Sequence, residues 1–378
     1  MKKVVIAIDS FKGSLSSREI ADAFESGFRP YHPKCDICKI AIADGGEGTV
    51  EALIETLGGE YIEIEVCNPL HRSIKAQYGI IDGGKCAIIE MSAASGLTLL
   101  SADERNPLLT STYGTGEIIA DAIKRGCRKF LVGIGGSATN DAGTGMLRAL
   151  GYRFLDNIGN ELIGGGAILE DIASIDDSQV LSGLSECEFI VACDVTNPFY
   201  GKQGAAYVFA PQKGADKAMV ERLDRGLRNF ARIVALHNGT DIAEMEGAGA
   251  AGGLGGGMKA LLNTKLMRGI DMVLSAIDFN NIIIGADLVI TGEGHLDYQT
   301  IMGKAPNGIL RAATEQHIPT IAIGGGVTWC EELRASGFDA IEVVTPEGMS
   351  LEEAMKPEVT KESIRLTAER IAKRFISR

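Results

Sequence analysis

One unit recurs along this chain: a short apolar segment leads into a loop rich in glycine and acidic residues, and a helical pattern follows. The apolar segments span residues 4–8, 39–43, 130–133, 188–193, 288–291 and 320–323. Unbroken apolar strands that alternate with helices are typical of a parallel sheet with both faces covered. The repeat therefore predicts an α/β protein with a Rossmann-like parallel-sheet domain.

Two of the helical patterns have clear signatures. Ser16 and Glu19 have the spacing of a capping box, in which each side chain bonds the backbone N–H of the other at a helix start. The helix that follows residue 48 carries an apolar stripe with i, i+3, i+4, i+7 spacing, formed by Val50, Leu53, Ile54 and Leu57. Such a stripe predicts a helix that packs against the sheet.

The segment from residue 61 to 91 follows a different pattern. Ile62, Ile64 and Val66 alternate with polar residues, and a D-G-G turn at 82–84 separates two strand-like runs. The turn predicts a β-hairpin. We expect this segment to open a second, mixed α/β domain.

Parallel units resume near residue 287, so one domain is expected to contain both ends of the chain. A length of 378 residues suits two domains. We predict a discontinuous parallel α/β domain at 1–66 and 285–378, and a mixed α/β domain at 67–284. A helix at 216–237 is expected to cover part of the second domain.

The formal net charge of −13 at pH 7 repels the phosphates of nucleic acids and of anionic lipids. Neither class of partner is therefore expected. No apolar stretch reaches 18 residues, so no membrane span is predicted, and the apolar run after Lys3 is too short for a signal peptide. We expect a cytoplasmic protein that acts on a small molecule; the sequence leaves a homodimer open.

Ligands of parallel α/β sheets bind beyond the carboxyl ends of the strands. The loop after the first strand carries Ser10 and Lys12, which can hold a carboxylate or a phosphate. A helix-capping turn with an exposed lysine explains that loop equally well. The next loop carries Asp44 and Glu47 among three glycines, which suits Mg²⁺ held by one or two carboxylates and by substrate phosphates.

The remaining strand ends offer further polar groups. After residues 130–133, free N–H groups, two hydroxyls and a helix start favour an anion; the candidates there are Gly135, Gly136, Ser137, Asn140 and Asp141. Asp194 ends the next strand, as a ligand-facing carboxylate or as a cap. Two cations and two carboxylates follow later in the chain: Lys213, Lys304, Glu293 and Asp297.

Other functional classes match less well. The G-K pair at 303–304 lacks the upstream glycine of a Walker A motif, so the chain is not a P-loop NTPase. Gly133, Gly135 and Ala138 fit the loosest dinucleotide-binding signature, with Asp156 about 20 residues on. An NAD(P)-dependent dehydrogenase of a small hydroxy acid is therefore one alternative, and a non-enzymatic metabolite sensor is another. The abundance of carboxylates and lysines favours phosphoryl transfer.

Taken together, the loops resemble those of the bacterial glycerate kinase family. The matching stretches are D-S-F-K-G-S at 9–14, A-D-G-G-E-G-T at 43–49, E-M-S-A-A-S-G-L at 90–97, N-P-L-L-T-S-T-Y-G-T-G-E at 106–117, G-G-S-A-T-N-D at 135–141, C-D-V-T-N-P at 193–198, P-Q-K-G-A at 211–215, G-A-A-G-G-L-G at 249–255, T-G-E-G at 291–294 and D-Y-Q-T-I-M-G-K-A-P at 297–306. They occur in order over nearly the whole chain.

The resemblance implies ATP-dependent phosphorylation of D-glycerate, with the 2-hydroxyl favoured, and an active site in the cleft between two unlike α/β domains. Mg²⁺ is expected to bridge the ATP phosphates with help from Asp44 and Asp194. Asp194 is the first candidate to orient or deprotonate the hydroxyl, and Asp44 and Glu47 are the alternatives. The substrate-binding candidates are Ser10, Lys12, Asn140 and Asp141.

The expected cofactor-binding residues are Gly135, Gly136, Ser137, Lys213, Glu293, Asp297 and Lys304. One departure from the family pattern bears on binding: His295 stands where an arginine is usual. A neutral imidazole lacks the fixed charge with which an arginine binds carboxylate or phosphate.

Overall fold

The computed structural model describes residues 1–375. Its strands are β1 (Lys3–Asp9), β2 (Asp36–Ile42), β3 (Glu60–Cys67), β4 (Ser73–Ile81), β5 (Cys86–Glu90), β6 (Lys129–Gly133), β7 (Arg153–Leu155), β8 (Ser174–Asp176), β9 (Glu188–Ala192), β10 (Thr264–Met267), β11 (Leu288–Leu296), β12 (Thr320–Val327) and β13 (Ala340–Val343). All six recurring apolar segments therefore fall on strands, as predicted.

The α-helices are α1 (Ser17–Phe28), α2 (Thr49–Leu57), α3 (Ser92–Ser95), α4 (Tyr113–Lys124), α5 (Thr144–Ala149), α6 (Ala205–Phe209), α7 (Lys217–Asn238), α8 (Ala250–Leu261), α9 (Gly269–Ala276), α10 (Phe279–Ile282), α11 (Tyr298–Ile301), α12 (Ala305–Glu315), α13 (Glu331–Arg334), α14 (Leu351–Ala354) and α15 (Pro357–Arg374). Within residues 1–375, no helix is both long and apolar enough to cross a bilayer.

The chain divides into two compact units. Unit 1 combines Met1–Asp44 with the segment from Val273 onward, and unit 2 is Gly45–Met272. These limits differ from the predicted ones at 66/67 and 284/285. The difference at the first limit arises because β3 pairs along its whole length with β4 in the sheet of unit 2. The alternating segment that forms β3 therefore lies wholly in the second domain.

Unit 1 is built on a parallel sheet of five strands in the order β13-β12-β11-β1-β2. The inner strand β1 is buried from Val4 to Ile8, because α1 and α12 pack against it, and α15 packs in turn against α1. The capping box of Ser16 and Glu19 at the start of α1 is confirmed. Helices α1 and α15 approach closely at Gly27, where a Cβ atom would lie 2.0 Å from the carbonyl oxygen of Arg365.

Unit 2 contains a mixed sheet of six strands in the order β10-β9-β6-β5-β4-β3. Strands β5, β6, β9 and β10 run parallel, whereas β3, β4 and β5 are antiparallel neighbours. The predicted hairpin across residues 82–84 is confirmed by the β4–β5 pairing. The helix predicted at 216–237 is α7, and Asp216 caps it by accepting the N–H of Met219.

Candidate active site

The carboxyl ends of the unit 1 strands surround a pocket of about 790 Å³. Ser10 and Lys12 follow β1, Asp44 follows β2, and Glu293 and His295 lie at the end of β11. Parallel strands bring their carboxyl ends to one edge of a sheet. Residues far apart in the chain therefore line one pocket, and it includes both substrate-binding candidates from the first loop.

Asp9 is the carboxylate at this edge that sequence analysis missed. It ends β1, lines the pocket and accepts the N–H of Ser10 at 2.6 Å. Burial and the negative charge of Asp44 raise the pKa of Asp9 to about 7, against the lowering effects of the Ser10 N–H and the Lys12 ammonium. A carboxyl group with this pKa can exchange a proton near neutral pH. The available signal was its strand-end position, which it shares with Asp194.

Glu293 and Lys304 form a second polar group in the pocket. The carboxylate of Glu293 accepts the Thr300 hydroxyl at 2.6 Å and the Lys304 ammonium at 3.4 Å. Burial raises the pKa of Glu293. Asp297 instead caps the short helix α11, where it accepts the N–H groups of Gln299 and Thr300. Two of the three predicted cofactor residues in this region therefore line the pocket.

His295 lines the same pocket, and its ring Nε2 lies 2.8 Å from the hydroxyl of Thr328. The imidazole is exposed. The side chain that departs from the family pattern therefore stands where an added positive charge would face the pocket.

In unit 2, the loop after β6 is closed by a buried lysine. The ammonium of Lys213 donates to the hydroxyl of Ser137 and to the carbonyl oxygen of Thr139, both at 2.6 Å. Burial lowers the pKa of Lys213 to about 7, although the negative charge of Asp141 acts in the opposite direction. The preceding residues, Gly135 and Gly136, remain exposed. Lys213 thus holds the loop from within, whereas the two glycines can approach a ligand.

Asp141 is fully buried, and its carboxylate accepts hydrogen bonds mainly from backbone N–H groups. Its carboxylate accepts the N–H and the hydroxyl of Thr112 at 2.8 and 2.9 Å, and the N–H groups of Gly143 and Gly145 at 3.2 Å. Burial raises its pKa. Asn140 beside it is also fully buried, and its amide oxygen and nitrogen have no hydrogen-bond partner among residues 1–375. The two substrate-binding candidates thus differ. The carboxylate of Asp141 accepts hydrogen bonds from the protein, whereas the amide of Asn140 makes none within residues 1–375.

Two more carboxylates end strands of unit 2. The Asp194 carboxylate is exposed and accepts the N–H of Gly269, at the start of α9, at 3.0 Å. The capping interpretation of Asp194 therefore has a defined partner. Glu90 ends β5 and accepts the N–H of Val50, in the first turn of α2, at 3.0 Å. Glu90 was not predicted as a site residue, and Glu47 is an exposed residue ahead of α2.

The structure also bears on the dinucleotide-binding signature. That signature needs a βαβ unit in which the acidic residue follows the next strand. Asp156 follows β7, which pairs antiparallel with β8 in a separate two-stranded sheet. Its carboxylate closes a turn by accepting the N–H groups of Ile158 and Asn160. The context of the dehydrogenase alternative is therefore not met.

A magnesium ion was expected with ATP. The residues from 1 to 375 contain no group of three or more His, Cys, Asp or Glu side chains arranged to hold a metal. Asp9, Asp44 and Glu293 nevertheless bring carboxylates to one pocket. This fits Mg²⁺, which proteins commonly hold through one or two carboxylates together with substrate phosphates.

Comparisons with known proteins agree with the motifs. The model of the glycerate kinase family matches residues 4–376. A glycerate kinase from Bacillus subtilis (strain 168) is 47% identical, over 94% of this chain and 93% of that protein. A glycerate 2-kinase from Escherichia coli (strain K12) is 44% identical, also over 94% and 93%.

The solved structures add a match to the fold. The crystal structure of a candidate glycerate kinase 2 from Salmonella typhimurium LT2 aligns with a TM-score of 0.92 at 44% identity, and covers 100% of this chain and 98% of that chain. The family model, the relatives and the fold agree over nearly the whole chain, and the chain therefore belongs to the glycerate kinase family of phosphotransferases.

Proposed function

We propose that the protein transfers the γ-phosphate of ATP to the 2-hydroxyl of D-glycerate, giving ADP and 2-phosphoglycerate. The observation that carries this proposal is the unit 1 pocket of a glycerate kinase family member. There Asp9, with a pKa of about 7, shares the pocket with the carboxylates of Asp44 and Glu293 and with the ammonium groups of Lys12 and Lys304. Phosphoryl transfer depends mainly on positioning and charge neutralisation, and this combination supplies both.

Glycerate binding is assigned to the loop after β1. The Lys12 ammonium attracts the substrate carboxylate, and the Ser10 hydroxyl can donate to it. The 2-hydroxyl is attached next to that carboxylate, so a held carboxylate fixes its position closely. The terminal hydroxyl keeps one more free rotation. Binding of the carboxylate by Lys12 and Ser10 therefore favours phosphorylation of the 2-hydroxyl.

Asp9 is the base of this proposal. The 2-hydroxyl oxygen bonds to the γ-phosphorus, the bond from that phosphorus to the ADP oxygen breaks, and the hydroxyl proton passes to the Asp9 carboxylate. With a pKa of about 7, Asp9 is ionised often enough near neutral pH to accept that proton. Asp194 and Glu47, the candidates from unit 2, remain alternatives as the base.

Mg²⁺ would neutralise the negative charge of the phosphates when it is bound with ATP. Asp44, which was predicted to hold the metal, lies in the same pocket as Asp9 and can supply one carboxylate oxygen. Lys12 and Lys304 would offset the negative charge of the phosphates that the metal ion does not neutralise. The ion is expected to bind weakly without nucleotide, because no multi-ligand site exists in the described residues.

A coupled assay tests the reaction and its regiochemistry together. The enzyme, ATP, Mg²⁺ and D-glycerate should release ADP, and enolase alone should convert the product to phosphoenolpyruvate. L-lactate, which lacks the second hydroxyl, should be a poor substrate. No ADP release from folded enzyme would refute the kinase proposal, and a requirement for mutase before enolase acts would refute the 2-hydroxyl assignment.

A further inference from the structure

The lining of the unit 1 pocket combines two chemically different groups of residues. One group is polar and consists of the three carboxylates and two lysines described above. The other group is apolar and comes from one stretch of chain, the end of β13, the loop after it and α14. We call this group the apolar wall; it consists of Val343, Val344, Met349, Leu351, Ala354 and Met355.

The pocket is much larger than glycerate requires. Its volume of about 790 Å³ lies in the range of about 300–1,000 Å³ that holds drug-sized ligands. A three-carbon acid bound at Lys12 and Ser10 would occupy only part of it. The apolar wall lines the same pocket, so a second occupant that carries apolar surface fits this lining.

The apolar wall is exposed to a degree that needs explanation. Leu351 is 75% exposed, and Val343 and Met355 are each 38% exposed. Single exposed apolar side chains are ordinary, but several on one concave face beside charged groups indicate a binding site. The two methionines of the wall are flexible and polarizable, and methionine sulfur packs well against aromatic rings.

We infer that the apolar wall binds the adenosine part of ATP, while the phosphates extend toward Lys12 and Lys304. A nucleoside triphosphate has both properties that the pocket requires: a flat, largely apolar ring at one end and a polyanion at the other. This inference rests on the proposed function, because it assigns a place to one of its two substrates.

The alternative place for the nucleotide is the unit 2 loop with Ser137 and Lys213. There the ammonium is already bonded to Ser137 and to the carbonyl of Thr139, and the side chain is 1% exposed. Two of its three N–H donors are engaged and the residue is buried, so a phosphate could not reach the ammonium without displacing the surrounding protein. Lys12 is exposed and Lys304 is partly exposed, and both line the unit 1 pocket.

Two wall variants and a matched control test the inference. Leu351→Ser and Met355→Ser remove apolar surface from exposed positions, so the fold should tolerate both. Leu236→Ser on α7 is the control, because Leu236 is 72% exposed, close to the 75% of Leu351. Calorimetry measures the ADP dissociation constant without glycerate, and steady-state kinetics measure both KM values.

We expect each wall variant to raise the ADP dissociation constant and the KM for ATP about 5- to 20-fold, in line with the loss of one apolar contact. The KM for glycerate and the affinity for inorganic triphosphate, which has no adenosine, should stay at the wild-type value. Leu236→Ser should change none of these quantities.

Unchanged ADP affinity in both folded wall variants would overturn the inference, and so would a raised KM for glycerate with a normal KM for ATP. Wild-type turnover of glycerate with unchanged nucleotide affinity in the variants would refute only the inference. Binding of ADP that the wall variants weaken, without any glycerate turnover, would refute only the proposed function.

Discussion

In unit 1, Asp9, Lys12 and Lys304 face a pocket, whereas in unit 2 Lys213 and Asp141 are enclosed by the protein, although Lys12 and Asp141 both lie in loops that follow parallel strands. Burial brings the pKa of Asp9 up to about 7 and that of Lys213 down to about 7. Burial causes both pKa shifts, but only Asp9 faces a pocket that can hold a ligand. A perturbed pKa thus indicates a catalytic group only where the group also reaches a ligand-sized space.

The largest expected effect concerns Asp9. Asp9→Asn keeps the size of the side chain but removes the base, so kcat should fall about 10²–10⁴-fold. The wild-type kcat/KM should rise with pH up to about 7 as Asp9 loses its proton, and the variant should lack this limb. Steady-state kinetics across pH 5–9 measure both.

Asp103→Asn, at an exposed position of unit 2, is the control and should leave kcat and the pH dependence of kcat/KM unchanged. A kcat for Asp9→Asn within a few-fold of wild type would make Asp9 a buried structural carboxylate and would return the base to Asp194.

The comparison also predicts opposite pH effects on stability. Folding raises the pKa of Asp9 from about 4 to about 7, so the native state binds the extra proton and loses stability as pH rises through that window. Folding lowers the pKa of Lys213 from about 10.5 to about 7, so the unfolded state binds the extra proton and stability rises from pH 7 to 10.

Denaturant unfolding from pH 4 to 10 measures these two slopes. In a plot of unfolding free energy against pH, Asp9→Asn should lack the fall that wild type shows up to about pH 7. Lys213→Met should lack the rise that wild type shows from pH 7 to 10. Lys217→Met, at an exposed position of α7, should leave the profile unchanged. A Lys213→Met profile parallel to wild type above pH 7 would contradict the assignment of Lys213 as a buried, largely neutral amine.

A smaller effect is expected at Asp194. Asp194→Ala removes the acceptor for the N–H of Gly269 and should cost about 1 kcal/mol of unfolding free energy, as for other helix caps. Its effect on kcat should be smaller than that of Asp9→Asn. Asp216→Ala is the matched control, because it removes the cap of α7 and should lower stability similarly with normal turnover. A normally stable Asp194→Asn enzyme with kcat reduced 10²-fold or more would identify Asp194 as the base.

The smallest expected effect is a gain. His295→Arg adds a positive charge at an exposed position of the unit 1 pocket, so the KM for an anionic substrate should fall about 2- to 5-fold at low ionic strength. Added salt should reduce the difference. Gln203→Arg, exposed in unit 2, adds the same charge elsewhere and should leave both KM values unchanged. A raised KM for His295→Arg would show that the imidazole itself is required.

Much of the fold was predictable because its signals are local. The capping box of α1, the extent of α7 and the hairpin between β4 and β5 all follow from the residues within each segment. The domain limit was not predictable in this way. Alternation showed that β3 is a half-buried strand, but its partner β4 decides which sheet it joins, and that pairing is a tertiary contact.

Residue patterns within single segments predicted the α/β class, the family resemblance and the strand ends at which the polar groups collect. What each polar group faces depends instead on how distant segments pack together. Asp9, which was not selected from the sequence, faces the pocket, whereas Asp141 and Lys213, which were selected, are bonded to the protein itself. Burial and hydrogen-bond partners come from segments distant in the chain, such as Thr112 for Asp141, and no local pattern encodes them.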